Sequence, residues 1–287
     1  MIEIRDLCKS FGSHTVLDHV NLTVRTGETM VVLGRSGSGK SVLLKLVIGL
    51  MRSDSGSILV DGEDVTKMGY DELAALRRRF GMLFQMAALF DSMTVGQNVG
   101  LALREHTNRS ESEIAAIVAQ KLEMVGLPGI ETKKPAELSG GMRKRVGLAR
   151  AIAMDPDYLL YDEPTTGLDP VTAEQINQRI VELRQKIRTT SIVVTHDMRS
   201  AYTVADRICL IHEQKIWFTG TPEEVRNSED PVVQQFIRGE ARGPLTDDEE
   251  SSPASSARGS GRRRDGWQWG FGQRARRASG AGPAGEE

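Results

Sequence analysis

Met30-Val31-Val32-Leu33-Gly34-Arg35-Ser36-Gly37-Ser38-Gly39-Lys40-Ser41 is the stretch that decides how this chain folds. An apolar, largely β-branched run feeds a glycine-rich loop, the loop closes on Lys-Ser, and an apolar helical pattern follows through Val42, Leu43, Leu44, Leu46 and Val47. The pattern G-x-x-x-x-G-K-[ST] carries meaning only between a strand and a helix, and both are present. Glycines let the backbone curl until successive N–H groups face one anion. The helix start adds the positive end of its dipole. Lys40 is suited to set a charge against β- and γ-phosphates, and Ser41 to offer its hydroxyl to Mg²⁺. The plainer alternative is a flexible Gly/Ser turn before a core helix.

The chain has 287 residues, enough for one large α/β domain or two small ones. Apolar residues make up 39%, which supports a real core, and a net charge of −2 gives no global field toward nucleic acid. The two cysteines, Cys8 and Cys209, lie far apart without metal-ligand spacing. Both sit in apolar strand-like runs and read as buried free thiols in a reducing compartment. Residues 1–6 have neither the basic flank nor the apolar core of a signal peptide. No apolar run approaches the roughly 20 residues of a membrane helix. Any membrane role is therefore expected to be peripheral or through a partner chain.

Residues 2–7, 16–24 and 29–33 read as strands, with Phe11 between the first two. Residues 56–62 read as a hairpin strand, 71–79 as a capped helix with a basic end, and 81–85 as a short buried strand. Thr94 is placed to cap a helix from Val95 toward Arg104. A second helix spans 110–125 and stops at Gly126. Beyond a connector over 127–137, Ser139 caps a strongly basic helix reaching about Met154. A strand over 157–162 ends in carboxylates. A helix over 170–187, a strand over 191–195, a helix over 198–204, a hairpin of 207–211 with 215–219, and short helices over 222–227 and 231–238 complete the pattern. This alternation implies a mainly parallel sheet covered by helices, an α/β fold.

Past Gly239 the composition changes. Residues 241–287 are rich in Gly, Ser, Ala and Arg, with an acidic run at 247–250 and then Arg262, Arg263, Arg264, Arg274, Arg276 and Arg277 around Trp267, Trp269 and Phe271. The segment reads as a disordered tail. Attachment to anionic lipid headgroups and a weak nucleic-acid patch stay open beside that reading.

Two further stretches carry chemistry. Tyr158-Leu159-Leu160-Tyr161-Asp162-Glu163 is a buried strand ending in an acidic pair. Asp162 can sit near a metal bound to phosphates, and Glu163 can take a proton from an attacking water. Leu138-Ser139-Gly140-Gly141-Met142 opens a helix with small residues and a hydroxyl, a second anion nest. Two nests are hard to fold onto one nucleotide, so two chains, each offering its second nest to the other's nucleotide, resolve the pattern simply. An ordinary cap of small residues remains the plain alternative.

In this order the motifs over residues 1–240 resemble those of the ATP-binding-cassette ATPases. Gly34 to Ser41 is similar to Walker A, Gln85 to the Q-loop, residues 138–142 to the signature motif, residues 158–163 to Walker B, Gly167-Leu168-Asp169 to the D-loop, and His196 to the switch histidine. The resemblance implies a P-loop NTPase fold with a mainly parallel core sheet, an antiparallel β subdomain and a helical signature subdomain. It implies ATP hydrolysis coupled to transport. Phe11 would stack on adenine, and Gly34, Arg35, Ser36, Gly37, Ser38, Gly39, Lys40 and Ser41 would hold the phosphates. Ser41, Gln85 and Asp162 would arrange Mg²⁺ and water, with Glu163 as general base, Lys40 on the β- and γ-phosphates, and His196 on the γ-phosphate, holding the transition-state geometry. Ser139, Gly140 and Gly141 would close on the ATP of a second copy, and Asp169 would bridge the two. His14, His19, His106 and His212 have no such place and read as surface or loop residues.

Met142 stands where the signature motif usually ends in Gln. With residues 86–95 and 101–107, this resembles the ATPase subunits of Mce/Mla-type phospholipid transporters. The expected partners are then a membrane permease, an Mce-domain lipid-binding protein and a small cytoplasmic regulator, with the chain peripheral at the cytoplasmic face of the inner membrane. Met86, Leu89, Phe90 and Met93 would be adaptable apolar contacts for a coupling helix of the permease, or plain core residues. Rival readings are a cassette ATPase for another solute, a nucleotide-switched regulator of a membrane complex, and a protein acting on ribosomes or DNA.

Overall fold

The computed structural model describes residues 1–246. The run Met30–Leu33 forms the centre of strand β3 (Thr29–Gly34), buried along its whole length. It sits inside a six-stranded sheet with β6 (Phe80–Leu83), β7 (Tyr158–Asp162), β8 (Thr190–Thr195), β9 (Arg207–His212) and β10 (Lys215–Gly220), in the order β10-β9-β3-β8-β7-β6. All neighbours are parallel except β10, which returns antiparallel along β9. β1 (Ile2–Phe11), β2 (His14–Val24), β4 (Ser55–Val60) and β5 (Glu63–Asp64) make a separate antiparallel sheet, in the order β2-β1-β4-β5.

Side chains alternate along a strand, and the parallel strands are apolar on both faces because both faces are covered. Val31, Leu33, Tyr161, Val193 and Leu210 join a core with helices α3 (Val95–His106), α4 (Glu111–Met124), α5 (Gly140–Ala151) and α6 (Pro170–Ile187). Met30, Val32, Leu160, Ile192, Val194 and Cys209 join the opposite core, with α1 (Lys40–Val47) and the antiparallel sheet. Helices α3 and α4 start on capping boxes, Thr94 with Gln97 and Ser110 with Glu113. The remaining helices are α2 (Tyr70–Arg78), α7 (Met198–Val204), α8 (Pro222–Arg226) and α9 (Pro231–Arg238).

Several details differ from the sequence expectation. Cys8 is only half-buried, whereas Cys209 is fully buried; bulges in the β1–β2 register break the simple alternation around Cys8. Phe11 closes β1 instead of lying between strands and is exposed. His212 is half-buried at the end of β9, edge-on to Trp217, not in a loop. The basic helix stops at Ala151. The compact unit runs Met1–Leu245: Leu245 is buried, its N–H donates to Gln235 Oε1 at 2.6 Å, and its carbonyl accepts from Arg35 Nη1 at 2.7 Å. The acidic run and the Arg/Trp stretch of the expected tail lie outside the described residues.

Burial pushes the Cys209 thiol up to about 12, so at pH 8 it stays protonated, and only a thiolate attacks a disulfide reagent. Titration of the native protein with an aromatic disulfide at pH 8 is expected to modify Cys8 within minutes and Cys209 only after denaturant is added. Equal rates for both would contradict the packing of β9 against β3.

Candidate functional site

The loop between β3 and α1 is built on glycines in conformations and at contacts that side chains do not fit. Gly37 and Gly39 take φ values of +83 and +94, which L side chains rarely adopt. A Cβ on Gly39 would lie 2.8 Å from Val16 Cγ1, and one on Gly34 would lie 2.4 Å from Ser38 Oγ. Arg35, Ser36 and Gly37 line the exposed rim of the loop, while Gly34, Gly39 and Lys40 are buried. The Lys40 ammonium donates to the carbonyls of Gly34 at 2.7 Å and Arg35 at 2.9 Å. Ser38 Oγ is buried without a hydrogen-bond partner. A buried hydroxyl left unpaired costs about 1–3 kcal/mol, which an anion's oxygen accepting from it would offset.

The ends of the neighbouring parallel strands bring the carboxylates in. Asp162 closes β7, and its Oδ1 accepts from Ser41 Oγ at 2.6 Å, joining residues that the sequence separates widely. A hydroxyl and a carboxylate, both hard oxygen donors, suit Mg²⁺ beside phosphates. Glu163 follows with φ 48. Its N–H donates to the Val194 carbonyl at 2.9 Å, so β8 fixes the turn. Its Oε2 lies 2.9 Å from His196 Nδ1 and accepts from Thr166 Oγ1 at 2.9 Å. Its Oε1 lies 3.8 Å from Lys40 Nζ. Burial lowers the Lys40 pKa, with Glu163 and then Asp162 opposing that shift.

The other expected residues form separate groups. Ser139 caps α5 through Met142 N–H at 3.3 Å. Asp169 caps α6, accepting from the N–H groups of Val171 and Thr172 at 3.0 Å. These two stretches meet: a Cβ on Gly141 would lie 2.5 Å from Thr172 Cγ2, and one on Gly140 would lie 3.4 Å from Leu168 Cδ2. Among the described residues no hydrogen bond joins Ser139 or Asp169 to the Lys40–Glu163 group. The exposed Gln85 side chain projects beyond β6, and Phe11 lies under Lys9 Nζ, 5.4 Å from the ring centroid.

Three residues central to this region escaped the sequence reading. Lys144 on α5 is buried and donates to the carbonyls of Gln85 and, at 3.0 Å, Glu163. Burial pushes its ammonium down to about 8, against Asp162 and Glu163. Arg150 donates to the carbonyls of Ala87 at 2.8 Å and Ala88 at 2.6 Å, both left-handed alanines with φ 59 and 47. Asn98, fully buried on α3, accepts from Phe90 N–H at 2.8 Å and donates to its carbonyl at 3.1 Å. The only signal for Asn98 was a polar residue on the apolar stripe of a helix. Lys144 and Arg150 were hidden inside a basic run that reads as a solvated face.

This geometry is that of a nucleotide-hydrolysing P-loop cassette, and comparison with known proteins says which. Residues 17–166 match the ABC transporter family. The chain is 46% identical over 256 residues to the "probable ribonucleotide transport ATP-binding protein mkl" of Mycobacterium tuberculosis, covering 89% of this chain and 71% of that one. It is 43% identical over 245 residues to the "intermembrane phospholipid transport system ATP-binding protein MlaF" of Haemophilus influenzae, covering 85% and 93% respectively. Among solved structures, the dimeric post-hydrolysis ATP-binding cassette MJ0796 bound to ADP and Pi superposes with a TM-score of 0.72 at 31% identity, over 77% of this chain and 99% of that one. The chain belongs to the ABC transporter ATP-binding family: it is an ATPase with the cassette fold.

Gly39→Ala is expected to weaken ATP binding at least about tenfold. The left-handed backbone costs roughly 1–2 kcal/mol for a non-glycine, overpacking against Val16 adds about 1–3 kcal/mol, and about 1.4 kcal/mol is tenfold. Isothermal titration with ATP measures it, and unchanged affinity would contradict the cradle geometry.

Proposed function

We propose that this chain powers lipid movement through a separate membrane permease, as the ATPase subunit of an Mce/Mla-type phospholipid transporter. The observation that carries this reading is the match to MlaF-named relatives over nearly their whole length, 93% for the Haemophilus protein. Met142 in the signature motif supports it. The mkl-named relatives bear a ribonucleotide name instead, so a ribonucleotide cargo is the second reading. An Mce-domain lipid-binding protein and a small cytoplasmic regulator complete the proposed assembly. Among the described residues no helix is long and apolar enough to cross a membrane, which fits a chain that works through a permease at the cytoplasmic face.

In this reading Gly34 through Ser41 hold the phosphates, and Ser38 gains the partner its hydroxyl lacks. Ser41 and Asp162, with the Gln85 side chain, hold Mg²⁺, which when bound neutralises phosphate charge. Glu163 accepts the proton of the attacking water, oriented by its contacts with His196 and Thr166. Phe11, exposed at the end of β1, offers its ring face to adenine. Ser139, Gly140 and Gly141 reach the ATP of a second copy, with Asp169 at the seam. The existence of a dimeric homologous cassette supports that arrangement.

The permease contact falls on a groove of about 660 Å³ lined by Arg77, Phe84, Phe90, Leu101, Arg150 and Met154. Phe90 is 51% exposed in this lining, and Met86, 85% exposed, follows Gln85 as a second apolar side chain without cover. Leu89 instead packs partly against the core.

Lys40→Ala is expected to lose most ATP binding and hydrolysis. Glu163→Gln is expected to bind ATP and accumulate as a closed dimer on size-exclusion chromatography; a monomer at saturating ATP would overturn the paired-site reading. The complex reconstituted in vesicles should transfer fluorescent phospholipid with ATP, and Glu163→Gln should abolish transfer. Transfer that continues without hydrolysis, or uptake of ribonucleotides in place of lipid, would overturn the proposal.

A further inference from the structure

Lys144 occupies an unusual position for a lysine in a basic helix. Arg143, on its N-terminal side along α5, is exposed, yet Lys144 points inward and keeps only 5% of its surface. Burying an ammonium is costly unless several acceptors surround it. Here the acceptors are the main-chain carbonyls of Gln85, just past β6, and Glu163, just past β7, while the carboxylates of Asp162 and Glu163 act on it through space. One side chain therefore joins three chain segments that are remote in sequence.

Both anchored backbones need holding. Glu163 has φ 48, a left-handed conformation that costs roughly 1–2 kcal/mol for a residue with a Cβ. Such a conformation persists only where its surroundings over-determine it. Its N–H is fixed by Val194, and its carbonyl accepts from Thr166 N–H at 3.3 Å and from Lys144. The segment after Gln85 continues into the left-handed pair Ala87–Ala88. The other end of the connection is equally specific: Lys144 lies one helical turn from Gly140, on the helix whose N-terminus presents Ser139, Gly140 and Gly141.

We propose that Lys144 is a positioning residue that ties the placement of Glu163 and Gln85 to the position of helix α5, so that a second copy's nucleotide, on engaging the start of α5, acts on the hydrolytic carboxylate of the same chain. This rests on the roles proposed above for Glu163 and the signature stretch. A small displacement of α5 moves the Glu163 carbonyl through a charge-assisted hydrogen bond, and sub-ångström placement of a proton acceptor governs rate far more than nucleotide affinity. The side chain donates to main-chain carbonyls, so its effect passes through the backbone of Gln85 and Glu163.

The test is steady-state ATP hydrolysis by the full chain carrying Lys144→Met, which keeps an unbranched apolar side chain and removes the charge, and Lys144→Arg, which keeps a cation with several donors. Lys144→Met should lower kcat roughly tenfold or more while KM for ATP stays within about threefold. Lys144→Arg should recover at least about a third of the lost kcat. Glu163→Gln/Lys144→Met should form the ATP-dependent dimer less readily than Glu163→Gln alone. The inference is overturned if Lys144→Met hydrolyses within about threefold of the parent, if its loss appears in KM, or if Lys144→Arg is no better than Lys144→Met. Should Lys144→Met fail to fold by circular dichroism, Lys144→Gln, which retains amide donors without the charge, is held to the same thresholds. Glu163→Gln alone is measured alongside: if it retains parental hydrolysis, the role proposed for Glu163 fails and the inference with it, whereas loss of hydrolysis in Glu163→Gln with hydrolysis kept in Lys144→Met overturns the inference alone.

Discussion

Lys40, Lys144, Asp162 and Glu163 are each less than a tenth exposed, and all meet at one edge of the parallel sheet. Removing a single ion from water costs several kcal/mol even after relaxation. The protein tolerates these because the charges are matched and every one is wired into main chain or hydroxyl: Lys40 to Gly34 and Arg35, Asp162 to Ser41, Lys144 to Gln85 and Glu163, and the Glu163 carboxylate to Thr166 and His196. Losing any partner leaves a charge uncompensated in low dielectric. The loops at this edge are consequently fixed as a set.

That constraint explains the architecture around it. Parallel strands β3, β6, β7 and β8 all end at the same edge, so each delivers its following loop there: the phosphate cradle, Gln85, the acidic pair and His196. This is the position where open α/β sheets place their ligands. The antiparallel sheet leans on the opposite core and carries Phe11 outward at the end of β1. The α3–α5 layer carries Ser139 and the clamp of Lys144, Arg150 and Asn98 on the chain between Gln85 and Phe90. The Asp162–Glu163 pair and the Ser139 helix start thus sit on different layers of the fold, and side chains from α3 and α5 span the boundary.

The region beyond Gln85 combines opposite properties. Its main chain is held by three buried or partly buried side chains, while Met86 stays exposed and Phe90, also exposed, lines a groove of about 660 Å³. Two consecutive left-handed alanines store strain of roughly 1–2 kcal/mol each.

The amino-acid order alone determined the elements that depend on local chemistry. The cradle from Gly34 to Ser41, the caps at Thr94, Ser110 and Ser139, and the alternation of strands and helices are written in turn residues, capping residues and periodicity, which act over a few positions. Asp162 was legible as a carboxylate suited to a metal because a strand ending in carboxylates is itself a local signal, but its place beside Ser41 follows from the strand order. The Glu163–His196 contact, the inward turn of Lys144, the clamp of Arg150 and the burial of Asn98 were not foreseen. Each of these depends on which strand lies beside which and on where α5 settles against β6. A basic helix has no local mark that separates a solvated lysine from one inserted between two carbonyls. Only packing chooses, because the cost of burying that charge is met by acceptors far away along the chain.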